Sequence, residues 1–255
     1  MNFLISAKTD VGTVKDINQD SVSVKVINTA HGRIVLAVLC DGMGGYSNGE
    51  AASASVIHAF DQWARNDLPQ ICKGGFSDLT IRKQWENLIK EQNSHIISYG
   101  IKHDCMLGTT VVALLITQTR YYILNVGDSR AYVINDKLHQ ITKDHSLVAM
   151  KIGAGLLTPE QAERDMGRSQ LLRCVGISED MYPDLFFGDV KKGEVFMLCS
   201  DGFRHEVSES EIYEMLNPRV LTDEKKMSER AESMIELNKQ RQEKDNITVA
   251  LIKTV

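Results

Sequence analysis

The sequence has few cysteines, and none of them is arranged for a disulfide framework or a structural zinc site. Five cysteines are scattered along 255 residues, and no C-x-x-C spacing occurs among them. An odd and dispersed set of this kind is typical of reduced thiols in a hydrophobic core. We therefore interpret them as packing residues, namely Cys40, Cys72, Cys105, Cys174 and Cys199.

Proline is equally sparse, with four residues in the chain. A length of 255 residues allows one large domain or two small ones. No Pro/Gly/Ser-rich linker, internal repeat or low-complexity tract marks a boundary between two such units. We therefore expect residues 1–255 to form a single domain.

Long apolar runs and clusters of positive charge are absent as well. The longest apolar stretches, such as residues 111–116, are far too short to span a bilayer. No secretory signal stands at the N-terminus. The net charge is −5, and no Lys/Arg cluster forms the basic face typical of a protein that binds duplex nucleic acid. We predict a cytoplasmic monomer that binds neither membranes nor nucleic acid.

Strand-like and helix-like segments occur in groups rather than in strict alternation. The β-rich runs are 3–9, 21–27, 34–40, 109–117, 121–135, 194–199 and 247–255, with a hairpin turn predicted at 118–120. Apolar residues at helical spacing predict helices over 49–66, 79–101 and 223–238, and capping motifs predict helix starts at Thr158 and Ser208. This grouping indicates an α+β fold with largely antiparallel sheets covered by helices.

Five aspartates lie at the ends of predicted strands. Asp41 and Asp201 each follow an apolar run and precede a glycine, Asp128 follows another strand, and Asp20 and Asp245 precede strands. Each could simply form a turn, because Asp and Gly favour turns. Carboxylates gathered at buried strand ends would instead repel one another and require a hard divalent cation with oxygen ligands. The sequence alone leaves open whether the five converge.

The segments that carry these aspartates resemble the PPM/PP2C family of metal-dependent Ser/Thr protein phosphatases, in particular its compact bacterial members. The matching segments are TDVGTVKDINQD, CDGMGGYSNGEAAS, GTT, VGDSRAYVI, ITKDHSLV, CSDGF and KDNITV, in the family's order from residue 9 to residue 249. The resemblance implies an αββα four-layer sandwich, in which two packed antiparallel β-sheets are flanked by helices. It places the metal centre at one end of that sandwich.

The resemblance also implies a role for each acidic residue of the centre. Asp41 is expected to bridge two divalent cations, and the Gly42 carbonyl to bind one of them. Asp201 and Asp245 are expected to complete the shell of the other ion, with Asp20 beside the site and acting through a water. A glycine after Asp41 suits this scheme, because a carbonyl ligand needs close approach that a side chain would obstruct.

The expected cofactors are two Mn²⁺ or Mg²⁺ ions per chain, and Asp128 matches the family position associated with a third, weaker metal. Two such ions ~3.5–4 Å apart can activate a water and clamp the phosphoryl oxygens. A covalent protein nucleophile is then unnecessary. The sequence contains no convincing one, since it has no G-x-S-x-G elbow and no cysteine in a phosphate-cradling loop.

Three positions depart from the family pattern. Lys15 stands where many members have an arginine that grips the substrate phosphate, so the charge remains but the bidentate fork is lost. We expect activity with weaker phosphate binding. Met43 stands where animal enzymes have a histidine proposed as general acid, and methionine cannot donate a proton. Tyr46 stands where bacterial relatives often have histidine, and the sequence does not indicate a consequence.

Other polar residues near the recognised segments leave alternatives open. His145 and His205 are either proton shuttles or ordinary hydrogen-bonding residues. The resemblance implies that residues 146–190 include the family's mobile flap. Arg164, Arg168 and Arg173 in this region either meet a phosphopeptide or are ordinary surface arginines.

The leading functional hypothesis is an active phosphatase for phosphoserine and phosphothreonine in proteins that are substrates of a cognate Ser/Thr kinase. The rivals are a catalytically weak regulator that binds phosphoproteins and an enzyme for small phosphoesters. Retention of Asp41, Gly42, Asp201 and Asp245 favours the active enzyme. A deep polar pocket would favour a small substrate, and an open cleft a protein.

Overall fold

Eleven strands form the interior of the described part of the chain. The computed structural model describes residues 1–44, 48–162, 165–177 and 181–255. The strands are β1 Phe3–Asp10, β2 Asp20–Thr29, β3 Gly32–Gly44, β4 Leu107–Thr109, β5 Val111–Ile116, β6 Arg120–Val126, β7 Arg130–Ile134, β8 Leu138–Gln140, β9 Asp184–Asp189, β10 Val195–Cys199 and β11 Ile247–Thr254.

The helices lie between these groups of strands. They are α1 Gly49–Asn66, α2 Leu68–Gly74, α3 Asp78–His103, α4 Leu147–Gly153, α5 Pro159–Ala162, α6 Glu209–Leu216 and α7 Glu224–Gln240, and one short 3-10 turn covers Asp201–Phe203. Within the described ranges, no helix combines the length and the apolar character needed to cross a membrane.

The strands pair into two antiparallel sheets. One sheet has the order β1-β11-β10-β7-β8, and the other has the order β2-β3-β5-β6-β9 with β4 added beside the end of β3. Helices α1, α2 and α3 cover the second sheet, and α6 and α7 cover the first. The predicted αββα sandwich is confirmed.

The middle strands are buried on both faces, which explains why they are apolar at nearly every position. In β3, Ile34, Leu36, Val38 and Cys40 pack toward the helices. The alternate residues Val35, Ala37 and Leu39 pack against the opposite sheet, because successive strand side chains point to opposite faces. Asp41 continues this second series and therefore lies at the rim of the space between the sheets.

The predicted run 121–135 is divided between the two sheets. β6 belongs to one sheet and β7 to the other, and Gly127 makes the turn between them with φ +107°. A side chain there would be strained, and its Cβ would lie 2.6 Å from Thr110 side-chain atoms. Asp128 marked the end of a strand, but the apolar pattern gave no sign that the next strand joins the other sheet, because residues on both sides of the turn are buried.

Several short elements were not predicted. The helices α2 and α4 have seven residues each, and β8 has three. Strand β9 lies at the edge of its sheet, beside β6. Short elements and edge strands give a weak periodic signal, because few of their residues face a core.

The outer helical layer depends on a cluster of three aromatic rings. Trp85 of α3 is fully buried and makes edge-to-face contacts with Phe60 and Trp63 of α1, at centroid distances of 5.4 and 5.6 Å. We expect Trp85→Ala to lower the free energy of unfolding by ~3–5 kcal/mol, because the cavity would lie between two helices and a sheet. Urea unfolding followed by circular dichroism measures this change.

The matched control is Ile101→Ala on the same helix, where the side chain is 79% exposed. It should change the free energy of unfolding by less than ~0.5 kcal/mol. Equal effects of the two substitutions would contradict the assignment of α3 as a covering helix packed through Trp85.

Candidate metal centre

The five predicted aspartates converge at one end of the sandwich. Asp20 lies directly opposite Asp41 in the β2–β3 register, and Asp128 lies in the turn between β6 and β7. Asp201 begins the 3-10 turn after β10, and Asp245 immediately precedes β11. Burial and the negative charges of the other four raise the pKa of the Asp41 carboxyl well above its usual range. The convergence that the sequence left open is therefore present.

The cluster concentrates negative charge where water is scarce. Burial, with the charges of Asp201 and Asp245, raises the pKa of Asp20 to about 7, against an ordinary value of 3.8. Burial and the charge of Asp201 raise the pKa of Asp128 to about 7 as well, although Arg204 opposes the shift. Carboxylates in such surroundings ionise readily only when a cation is close.

Three carboxylate oxygens in the cluster are buried without a hydrogen-bond partner. They are both side-chain oxygens of Asp20 and one of Asp201. The hydroxyls of Ser200 and Thr248 lower the pKa of Asp20, but neither makes a hydrogen bond of normal geometry with it. Unpaired buried anionic oxygens are costly. Hard divalent cations with oxygen ligands would satisfy them, so the residues present fit the implied ions.

The carboxylates are neighbours but do not form a tight cage. Among the described residues, no three His, Cys, Asp or Glu side chains are close enough together to hold one ion by themselves. Ions that keep part of their water shell, as Mg²⁺ does, suit this looser spacing. The donor set is therefore compatible with ions bound partly through water and backbone carbonyls.

The backbone around Asp41 is fixed from both sides. The Asp41 N–H donates to Thr110 Oγ1 at 3.0 Å, and the Thr110 N–H donates to the Asp41 carbonyl at 2.8 Å. The Gly42 N–H donates to the Gln19 carbonyl at 3.1 Å. A Cβ on Gly42 would lie 2.6 Å from that carbonyl oxygen and would collide with the Gly49 carbonyl. Close approach of three backbone segments thus explains the glycine.

Asp245 is held by the residues on either side of it. Glu243 accepts hydrogen bonds from the backbone N–H groups of Lys244 and Asp245, at 2.7 and 2.9 Å. The Asn246 amide donates to the carbonyls of Val11 and Ile17, at 2.9 and 3.1 Å. These contacts fasten the loop between β1 and β2 to the start of β11.

That loop carries Lys15, whose ammonium group lies 3.3 Å from Asp245 Oδ1. Both side chains are about half exposed, at 45% and 40%. Lys15 is therefore at the open side of the carboxylate cluster, with its charge accessible to a ligand in solvent.

The two histidines considered as shuttles are both held by protein groups. His145 Nδ1 accepts the Gly127 N–H at 3.2 Å, and its Nε2 lies 3.2 Å from Asp184. Burial lowers the pKa of His145. His205 lies between Asp201 and Glu243, 3.5 Å from each carboxylate. Burial opposes its protonation, but the two carboxylates outweigh it and raise the pKa of His205.

Two of the three arginines considered in the 146–190 region lie in the described part of the chain. Arg173 pairs with Asp184 at 3.2 Å while remaining 48% exposed. Arg168 also interacts with another group of the protein. Arg164 and Tyr46 lie outside the described residues, so the two alternatives for Arg164 and the departure at Tyr46 stay as the sequence left them.

Sequence reasoning missed the residues that position the aspartates. Thr110, Glu243 and Asn246 are three of them, and Arg204 is a fourth that contacts Asp128 at 3.8 Å. Their neighbourhood offered a signal, because each lies within or next to a recognised segment. Thr110 contacts Asp41 and Asn246 contacts Val11, so these contacts join residues far apart in the sequence, whereas Glu243 accepts hydrogen bonds from its immediate neighbours.

The fold and this carboxylate cluster define a protein phosphatase of the metal-dependent kind. The family model for protein phosphatase 2C matches residues 13–248. The chain belongs to the protein phosphatase 2C family.

Individual relatives agree with this assignment over the whole chain. A putative protein phosphatase 2C-type of Streptococcus pyogenes is 32% identical, covering 97% of this chain and 96% of that protein. The solved S. agalactiae serine/threonine phosphatase has a TM-score of 0.85 at 31% identity and covers 100% of both chains. The catalytic domain of the serine threonine protein phosphatase PstP, solved with 2 manganese ions, has a TM-score of 0.80 at 30% identity over 100% of both chains. The predicted family is confirmed.

Without metal, the protein should lose stability as the pH rises from 5.5 to 7. Asp20 and Asp128 have native pKa values of about 7, against an ordinary 3.8, so in this window the folded state holds protons that the unfolded chain has released. Their favourable contribution is fully present below the unfolded pKa and is lost as the pH rises through about 7. Each carboxyl accounts for up to roughly 2 kcal/mol over the window, at about 1.4 kcal/mol per pH unit.

Urea unfolding in EDTA at several pH values measures this slope. Asp20→Asn should make it shallower, and the difference from wild type separates the carboxyl's share from that of the histidines. Asp136→Asn, in the exposed turn between β7 and β8, is the matched control and should keep the wild-type slope. A wild-type stability that is constant or rises with pH would show that the cluster is not destabilised by its own charge.

Proposed function

We propose that this chain removes phosphate from phosphoserine and phosphothreonine in proteins, and that its carboxylate cluster holds two Mn²⁺ or Mg²⁺ ions. The observation that carries the proposal is the convergence of five aspartates whose buried oxygens include three without a partner. The serine/threonine phosphatases among the solved relatives, one of them solved with 2 manganese ions, support the substrate and the metal.

Each residue of the cluster has a proposed role. Asp41, at the centre of the mutual repulsion, would bridge the two ions, with the Gly42 carbonyl as a ligand of one. Asp201 and Asp245 would complete the shell of the other, and Asp20 would act through a water. When bound, a pair of divalent ions supplies an activated water and a clamp for the phosphoryl oxygens.

The chain's own residues prepare the site for such a reaction. The hydrogen bonds to Asp41 and Asp245 fix both carboxylates before substrate arrives, so little reorganisation is left to the reaction itself. Lys15, beside Asp245 and half exposed, would hold the phosphate of the incoming residue. Met43 offers no proton, so the proton for the departing hydroxyl must come from elsewhere than this side chain.

The serine/threonine phosphatases among the relatives favour a protein substrate over a small metabolite. Cavities of about 160 to 310 Å³ occur in the described parts of the chain, and none of these five is lined by an aspartate of the cluster. The cluster instead lies where loops meet at the end of the sheets. The cognate kinase, the cytoplasmic location and the monomeric state stay predictions.

Phosphate release from a phosphothreonine peptide tests the proposed activity. We expect release with Mn²⁺ or Mg²⁺ and none in EDTA. Asp201→Asn should lower the rate by more than the ~10–100-fold typical of changing an outer-shell partner of a metal ligand, because a direct ligand is lost. The charge-matched control Asp136→Asn, at the far end of β7 from Asp128, should keep wild-type activity.

The alternative outcome points to a different function. Folded wild-type protein that binds the phosphopeptide but releases no phosphate with either metal would contradict hydrolysis. It would favour the phosphoprotein-binding regulator.

Substitution of Lys15 tests its role as a phosphate contact. Lys15→Ala should raise KM by roughly 10-fold, equivalent to about 1.4 kcal/mol, while kcat changes little. Lys15→Arg should restore or lower KM, because a guanidinium binds phosphate bidentately. Lys137→Ala, in the exposed β7–β8 turn, is the matched control. Unchanged KM and kcat in Lys15→Ala would show that Lys15 does not contact the phosphate.

A further inference from the structure

The guanidinium of Arg204 is largely buried and lies beside Asp128 of the carboxylate cluster. It follows the 3-10 turn that Asp201 begins, and its N–H donates to the Asp201 carbonyl at 3.0 Å. Its Nη2 donates to the Asp128 carbonyl at 3.1 Å and lies 3.8 Å from Asp128 Oδ2 and 3.6 Å from Asp144 Oδ2. The turn that presents one predicted metal ligand thus also places a guanidinium beside Asp128.

The neighbouring charges assign this guanidinium to Asp128. Asp144 is already held by Arg130, whose Nε and Nη2 contact its two carboxylate oxygens at 2.9 and 2.7 Å. That pair is bidentate and close to neutral by itself. Arg204 is left as the cation that faces Asp128, and among the neighbouring charges it opposes the rise in the pKa of Asp128 more than His205 does.

Burial of Arg204 is explained by charge rather than by full hydrogen bonding. The side chain is 13% exposed, against 9% for Asp128 and 10% for Asp144. Its Nε is buried without an acceptor. A cation is retained in such a place only when a nearby anion compensates the loss of water. The carboxylate of Asp128 is that anion, because Asp144, although 3.6 Å from Arg204, is already paired with Arg130.

We propose that Arg204 takes the place of a third divalent cation at Asp128, so that this chain binds two metal ions and not three. The inference rests on the proposed two-ion centre and replaces the expectation that Asp128 holds a third ion. A divalent ion at Asp128 would have to approach a guanidinium only a few ångströms from its ligand. Because the guanidinium is always protonated, this charge is present at any pH and any metal concentration.

Asp128 then has a positioning role. Its carboxylate and carbonyl together fix Arg204, and through the shared turn they fix the backbone of Asp201. The tethered guanidinium opposes the rise in the pKa of Asp128 that burial and Asp201 cause, without waiting for a weakly bound ion.

A count of bound Mn²⁺ on metal-stripped, full-length protein tests the inference. The electron paramagnetic resonance signal of free Mn²⁺ is followed during titration into the millimolar range at pH 8. Wild type should bind two ions per chain, and Asp128→Asn should still bind two. Arg204→Gln should gain a third, weaker ion that the double variant with Asp128→Asn loses again. Arg204→Lys, which keeps the charge, should remain at two.

The possible results separate this inference from the proposed function. Three ions on wild type, of which Asp128→Asn loses one, would overturn the role of Arg204 and leave the two-ion centre standing. Two ions on a folded Arg204→Gln variant would also overturn it. Wild type that binds no Mn²⁺ would overturn the proposed function together with this inference. If Arg204→Gln fails to fold, the counts for wild type and Asp128→Asn still decide whether the chain binds two ions or three.

Discussion

The burial of carboxylates that repel one another is the constraint on which the arrangement of the proposed site depends. A strand buried on both faces, such as β3, can end in an aspartate only where the charge is compensated, and here Asp41 meets four more aspartates. The apolar interior that stabilises the sandwich is therefore also what makes the cluster costly when metal is absent. Without ions, the cluster lowers the free energy of unfolding. Ions that bind only the folded state would raise it again.

The hydrogen bonds that position the site come from residues around the aspartates and not from the aspartates themselves. Thr110 fixes the backbone of Asp41, and Asn246 fastens the loop that carries Lys15. Glu243 receives the backbone of Asp245 and also contacts His205. This arrangement leaves carboxylate oxygens of Asp20 and Asp201 free, which a set of aspartates that hydrogen-bonded one another could not do.

The sequence predicted the strand ends better than the connections between them. Asp41 and Asp201 were recognisable because each ends an apolar run whose two faces are both buried, and the family's ordered segments identified the sandwich. The passage from one sheet to the other at Gly127 was not recognisable, because both flanking strands are equally apolar. Arg204 was missed for a different reason. Its significance lies in contacts with residues 60 and 76 positions away, which no local pattern encodes.

The proposed ligands are divided between the two sheets. Asp20 and Asp41 belong to strands of one sheet, whereas Asp201 and Asp245 adjoin strands of the other. The thickness of the core between the sheets, set by residues such as Leu39 and Phe196, therefore acts as a spacer that determines how far apart the two halves of the site lie. A substitution in that core would change the distance between these two pairs of aspartates before it unfolded the protein. The packing of the core between the sheets therefore contributes to the geometry of the proposed metal centre.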